Sequence, residues 1–328
     1  MRWTLLMALA LAACSALAKP PSYAEREEVQ EFIRELALRH GFGEHGLREL
    51  FSRVSRADPV LEAIEPQPPQ VLSWEEYRAN FVNERRIAAG VAFWKKYRRA
   101  LERAESRYGV PPEYIVAIIG VETYYGRNTG RWRVLDVLTT LAFDYPPRAA
   151  FFRSELEQYL LMMREQGKDV FALRGSYAGA IGIPQFMPGS ARRYAVDFDR
   201  DGSIDLRRSP VDAIGSVANF LKEHGWQPGG KVLLEARVGG DAWRALADGS
   251  VDPKHAPADL RAAGVEFDAM PEGVRAVLIE LETPYKPSEY RIGLHNFWVL
   301  TRYNRSAFYA SVVHDLAQAV KTAQSFGK

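Results

Sequence analysis

The stretch from Pro112 to Tyr125 constrains this chain more than any other. Ile115, Ile118, Ile119 and position 122 fall at i, i+3, i+4 and i+7, the stripe by which a helix faces a core. Prolines at 111 and 112 suit its start, because proline is tolerated in the first turn. Position 122, however, is Glu. A carboxylate on an apolar face is costly to ionise, and desolvation raises its pKa from ~4.3 toward ~6 or above. A proton held near neutral pH is what a general acid requires. The competing reading is a structural carboxylate, hydrogen-bonded to backbone or paired with a buried arginine. Arg127, Arg131 and Arg133 are near enough in sequence to serve.

Around that segment the pattern is mostly helical. Val29, Phe32, Ile33 and Leu36 form a helical face that Gly41 stops. Pro59 to Pro69 reads as a proline-rich connection, and Ser73 with Glu76 as a capping box. A long segment follows to Tyr108-Gly109, with Phe93, Trp94, Tyr97 and Leu101 on one side and basic residues on a solvated other side. Further helices are expected over Pro147 to Glu165 and Pro210 to His224, each closed by glycine. Between 227 and 293 the pattern changes: Val232-Leu233-Leu234 and Val277 to Leu281 read as short strands. From Leu294 it returns to helix, with Val312, Leu316, Ala319, Val320 and Ala323 apolar. The expected organisation is a signal region over 1–18, an N-terminal helical domain over 19–110, a core over 111–226, a small β-containing segment over 227–293, and C-terminal helices over 294–328. The class is mainly α (α+β).

The first residues speak to location. Met1-Arg2 give a positive start and Leu5 to Ala13 an apolar run, of secretory length and too short to span a bilayer. It ends Leu11-Ala12-Ala13-Cys14, which resembles a bacterial lipobox whose Cys becomes the lipid-modified first residue. Ser15 after it is compatible with sorting to the outer membrane. The alternative is an ordinary signal peptide cleaved near Ala16-Leu17-Ala18. Cys14 is the single cysteine, so no internal disulfide can form. A net charge of +2 gives no reason to expect nucleic acid, whose binding shows as a strong basic excess. None of the 6 His stands at a zinc-ligand spacing, and no glycine-rich phosphate loop is present. No organic cofactor is expected.

Long motifs resemble the membrane-bound lytic murein transglycosylase B family. They are Val110-Pro111-Pro112-Glu113, Ile118-Ile119-Gly120-Val121-Glu122-Thr123-Tyr124-Tyr125-Gly126-Arg127, Gly175 through Pro188, Pro210 through Asn219, Gly293-Leu294-His295-Asn296-Phe297 and Thr301-Arg302-Tyr303-Asn304. The resemblance implies a lysozyme-like catalytic core with added helices. It also implies cleavage of the β-1,4 bond between N-acetylmuramic acid and N-acetylglucosamine, leaving a 1,6-anhydro end. Glu122 would be the single catalytic carboxyl, acid and then base. The resemblance implies no second catalytic acid in the matching motifs; Asp136 and Asp144 remain candidates to approach in space. Ser176 matches a serine that contacts the acid or the acetamido group, and Gln185, followed by Phe186, matches a sugar-binding glutamine. Tyr77, Phe220, Tyr303, Asn304 and Tyr309 match residues lining the cleft. Phe220 stands where tyrosine is usual, so a hydroxyl contact is lost; Tyr124-Tyr125 and Gly189 are further departures. For Ser176 the plain alternative is a turn, and for each tyrosine it is core packing.

Asp197-x-Asp199-x-Asp201-Gly202-Ser203-Ile204-Asp205 reads as nine positions of an EF-hand loop, with Gly202 at the sharp turn. The twelfth position is Arg208 instead of Glu. The resembled family has a modified loop closed by a later Asp, a place Asp212 fits. The expected Ca2+ ligands are Asp197, Asp199, Asp201, the Ser203 carbonyl and Asp212, with a structural purpose; the alternative is an acidic solvated turn. The implied partners are peptidoglycan glycan strands, the outer membrane through the anchor, and candidate cell-wall synthases. Two rivals stand beside the transglycosylase: a muramidase that hydrolyses the same bond, and a non-catalytic peptidoglycan-binding scaffold.

Overall fold

The computed structural model describes residues 22–64, 72–271 and 273–326; Cys14 and the signal region lie outside them. The chain divides into two compact units, one ending at Ser55 and one running from Arg56. In the first, α1 (Glu27–His40) buries Val29, Phe32, Ile33 and Leu36, as the stripe predicts. Gly41 ends it at φ 65°, the left-handed cap that glycine adopts without steric cost. α2 (Glu44–Ser52) sets Phe51 edge-on to Phe32 at 6.3 Å.

The second unit begins with α3 (Asp58–Ile64), where the sequence predicts an irregular connection from Pro59. Pro59 sits in the first turn of that helix, where a missing amide hydrogen loses no bond. The rest of the predicted connection, 65–71, lies outside the described residues. The capping box holds: at the start of α4 (Trp74–Phe81) the Ser73 hydroxyl accepts from Glu76 N at 3.2 Å, and the Glu76 carboxylate accepts from Ser73 N at 3.0 Å. The single long segment predicted up to Tyr108 is three helices, α4, α5 (Glu84–Lys96) and α6 (Arg98–Tyr108). The Asn83 side chain accepts from Arg86 N and so starts a new helix in place of continuing the old one.

α7 (Pro112–Thr123) differs from the expected one-sided stripe. Ile115, Val116, Ala117, Ile118 and Ile119 are all fully buried, so it is a central helix packed all round. β1 (Trp132–Arg133) then leads into α8 (Val134–Asp144) and α9 (Ala149–Glu165). β2 (Arg174–Gly175) pairs antiparallel with β1, and α10 (Pro188–Tyr194) and α11 (Pro210–Glu223) follow. The β segment comprises β3 (Leu233–Val238), α12 (Pro257–Ala262), β4 (Val265–Phe267), β5 (Val277–Leu281) and β6 (Glu289–Gly293). Its sheet is antiparallel in the order β4-β3-β6-β5 and closes over its own core of Leu234, Trp243, Leu260, Leu278 and Ile292. α13 (His295–Tyr303) and α14 (Ala307–Phe326) return to the helices, α14 packing on α7, α5 and α4.

Candidate active site

Glu122 lies in the last turn of α7. The chain leaves that turn sharply, with Tyr124 at φ 50° and Tyr125 at φ 60°, a left-handed pair that persists only where the surroundings over-determine it. Several contacts do so. Tyr124 N donates to Gly120 O at 3.1 Å and Tyr125 N to Ile119 O at 3.2 Å. The buried Thr123 hydroxyl donates to Ile183 O at 2.9 Å and accepts from Gly126 N at 2.9 Å. The Tyr125 ring lies so close on Gly120 that a Cβ there would stand 2.7 Å from its hydroxyl oxygen. Arg86 of α5 donates to the Gly120 carbonyl and lies 4.8 Å over the Tyr124 ring.

The carboxyl of Glu122 is crowded by protein while the residue keeps partial contact with solvent. Burial pushes its pKa up to about 7, against an ordinary 4.5, and a hydrogen bond from the Tyr309 hydroxyl at 2.6 Å draws it partly back. Among the described residues no cation is one of the groups that shift it. Arg127 lies 4.8 Å over Tyr124, Arg131 lies 5.2 Å over Trp132, and Arg133 pairs with Asp136 at 2.7 Å. The paired-carboxylate reading therefore lacks its arginine. Asp144 pairs with Arg56 at 3.4 Å, and neither it nor Asp136 is among the groups that shift Glu122.

Tyrosines surround the acid. Tyr303 and Tyr309 stack at 6.3 Å and 16°, and the Tyr303 hydroxyl donates to Pro184 O at 2.6 Å. Tyr77, Tyr303 and Tyr309 are each raised by burial and then by the nearby Glu122 charge. They remain neutral hydroxyls, that of Tyr309 donating to the carboxylate and that of Tyr303 to backbone. Phe186 and Phe220 are buried at 2% and 4% exposure. They stand behind Tyr303, at 5.7 and 4.8 Å, as the backing of the tyrosine wall. Gln185 takes φ 50°, and its amide donates to Gly182 O at 2.8 Å. The Ser176 hydroxyl accepts from Ala180 N at 3.0 Å and Ala178 N at 3.3 Å, the bonding of a turn serine; the hydrogen bond to Glu122 comes from Tyr309. Asn304 is exposed at the end of α13. Sequence reasoning missed Thr123 and Arg86 as groups fixing the acid's turn. Thr123 was visible beside Glu122, but nothing local marks a contact between α5 and the end of α7.

The acidic loop brings ligand oxygens of Asp197, Asp199 and Asp212 within 4.8 Å of one another. Gly202 takes φ 89°. Asp212 is fully buried and accepts from Phe198 N at 2.8 Å and Asp205 N at 2.9 Å. Three converging carboxylates suit a hard cation. Asp201 stands outside that cluster, accepting from Ser203 N at 2.8 Å.

A mainly α fold with one uncompensated buried acid on its central helix defines a lysozyme-like enzyme core. A family model described as the transglycosylase SLT domain matches residues 24–318. The chain is 44% identical over 315 residues to the membrane-bound lytic murein transglycosylase B of Escherichia coli (strain K12), across 92% of this chain and 85% of that one. The crystal structure of the soluble lytic transglycosylase SltB1 from Pseudomonas aeruginosa matches with a TM-score of 0.86 at 47% identity, covering 91% of this chain and 99% of that one. The Escherichia coli lytic transglycosylase Slt35, solved in complex with calcium, matches with a TM-score of 0.82 at 44% identity, covering 92% and 95%. The chain belongs to the SLT-domain transglycosylase family.

Proposed function

We propose that this enzyme cuts peptidoglycan glycan strands between N-acetylmuramic acid and N-acetylglucosamine without water, with Glu122 as its one catalytic carboxyl. The observation that carries the reading is a carboxyl enclosed at the end of α7 and bonded by the Tyr309 hydroxyl, with no cation or second carboxylate among the described residues acting on it, so that burial raises it to about 7. In its neutral form Glu122 gives its proton to the glycosidic oxygen as the C1–O bond breaks. The muramic C6 hydroxyl then attacks C1, and the Glu122 carboxylate takes that hydroxyl's proton. The 1,6-anhydro ring closes and the acid is restored. One group thus serves as acid and then base, whereas the usual glycosidase needs two carboxyls. Tyr309 steadies the transient carboxylate by donating to it.

Digestion of purified sacculi followed by mass spectrometry tests this. The wild type should release anhydro-ended muropeptides, and Glu122→Gln should bind sacculi but release none. Reducing-end muramic acid would indicate the muramidase instead, and cutting by Glu122→Gln would remove the acid from its role.

Calcium is proposed at the acidic loop through Asp197, Asp199 and Asp212, supported by the clustered oxygens and by the calcium complex of the Escherichia coli relative. It would act structurally, holding the loop ahead of α11. Cys14 is proposed as a lipid anchor to the outer membrane, facing the periplasm, in line with the membrane-bound relative. Cys14→Ser should then move the protein from the membrane fraction to the soluble one.

A further inference from the structure

We propose that Arg291, Asp315 and Arg78 form a charged keystone that positions Tyr77 and Tyr309 against Glu122, so that the β segment governs an acid it does not touch. The inference rests on the reading of Glu122 given above. Arg291 of β6 donates to the Asp315 carboxylate of α14 at 2.7 Å, and Arg78 of α4 donates to the other oxygen at 2.6 Å. The Arg291 and Asp315 side chains are only 6% and 9% exposed. Burying such a pair is expensive, and an apolar replacement would often serve stability as well. What the pair does here is join three elements at one point.

Two of those elements carry tyrosines to the acid. The Arg291 guanidinium lies 5.3 Å over the Trp74 ring at the start of α4, while Trp74 N donates to Glu282 O just past β5 at 2.7 Å. Trp74 and Tyr77 both pack on Phe308, at 5.4 and 5.6 Å. The next residue, Tyr309, makes the hydrogen bond to Glu122. A continuous path of contacts thus runs from β6 through α4 and α14 to both tyrosines. The titratable groups facing Glu122 are Tyr77 of α4, Tyr303 of α13 and Tyr309 of α14, all uncharged near neutral pH. His314, beside Asp315, is pushed down to about 4 by burial and stays neutral there. A shift in the activity profile above pH 6 therefore reports the surroundings of Glu122.

The test compares the full chain with Arg78→Met, Arg291→Met and Arg291→Lys, following kcat and KM against pH on sacculi together with Tm. Arg78 is half-exposed, so Arg78→Met is mild on the fold and decides the matter if Arg291→Met fails to fold. Arg78→Met should lose about tenfold in kcat, with KM nearly unchanged; misplacement of order 1 Å costs up to about a hundredfold. Its high-pH limb should move up as the Tyr309 hydroxyl draws away from the carboxylate that it stabilises, and Arg291→Lys should recover part of what Arg291→Met loses. A folded Arg78→Met with wild-type rate and profile overturns the proposal. So does activity that merely tracks Tm across the variants with an unmoved limb. Glu122→Gln runs alongside: if it still cuts, the reading of the acid fails, whereas an inert Glu122→Gln beside a wild-type-like Arg78→Met defeats this inference alone.

Discussion

At Glu122 burial and one hydroxyl act in opposite directions. Tyr309→Phe removes the group that stabilises the carboxylate, so the pKa of Glu122 should rise further. The high-pH limb of kcat/KM should move up, with a loss of about tenfold or more from the weaker acid; a pH-rate profile of the purified variant checks both. Stability carries the same signature. The folded value, about 7, stands above the ordinary 4.5, so the neutral acid favours the fold. That contribution is fully present below 4.5 and is lost as pH rises through 7, a difference on the order of 1–3 kcal/mol. Glu122→Gln lacks this dependence. Its melting temperature should gain on the wild type between pH 5 and pH 8, and an equal offset at both pH values would count against the burial argument. Glu122 stood out in the sequence because a charge interrupts an apolar run. Its partner did not, since Tyr309 lies 187 residues away and no local pattern pairs the two.

Among elements, the end of α7 matters most. Gly120→Ala places a methyl group 2.7–2.9 Å from Tyr125 ring atoms, which should cost about 1–3 kcal/mol by overpacking. It should also reduce activity beyond the loss of folded protein, because the strained turn after Glu122 shifts with the ring. Denaturant melts and specific activity on the soluble fraction measure the two separately. Elements fixed by adjacent residues were readable: the Ser73–Glu76 box, the Gly41 stop and the β5 strand all appear where expected. The three-way split of the segment before Tyr108 was not, because an unbroken apolar period hides a cap such as Asn83. β4 was missed because three residues offer too little alternation to register, and β6 because Glu289 and Arg291 leave it without the apolar run that marks β5.

Over the larger unit, distant parts of the chain meet around Glu122 of α7: α4, α13 and α14 bring Tyr77, Tyr303 and Tyr309 to it. The motifs pointed to these residues, and the structure gives their contacts. Phe186 and Phe220 back the wall, and Ser176 ties off a turn. The acidic loop should bind calcium and stabilise the larger unit by about 3 kcal/mol at a hundredfold excess over Kd. Chelation should therefore lower the melting temperature, and Asp199→Asn should abolish the difference; identical melts with and without chelator would remove calcium from the account. The most direct measurement is a carbon-13 NMR titration of the Glu122 carboxyl, assigned by its disappearance in Glu122→Gln. A midpoint near 7 is the result expected from a proton held by burial. A midpoint near 4.5 would mean a wetted, ordinary carboxylate, and the proposed acid would then be lost to this site.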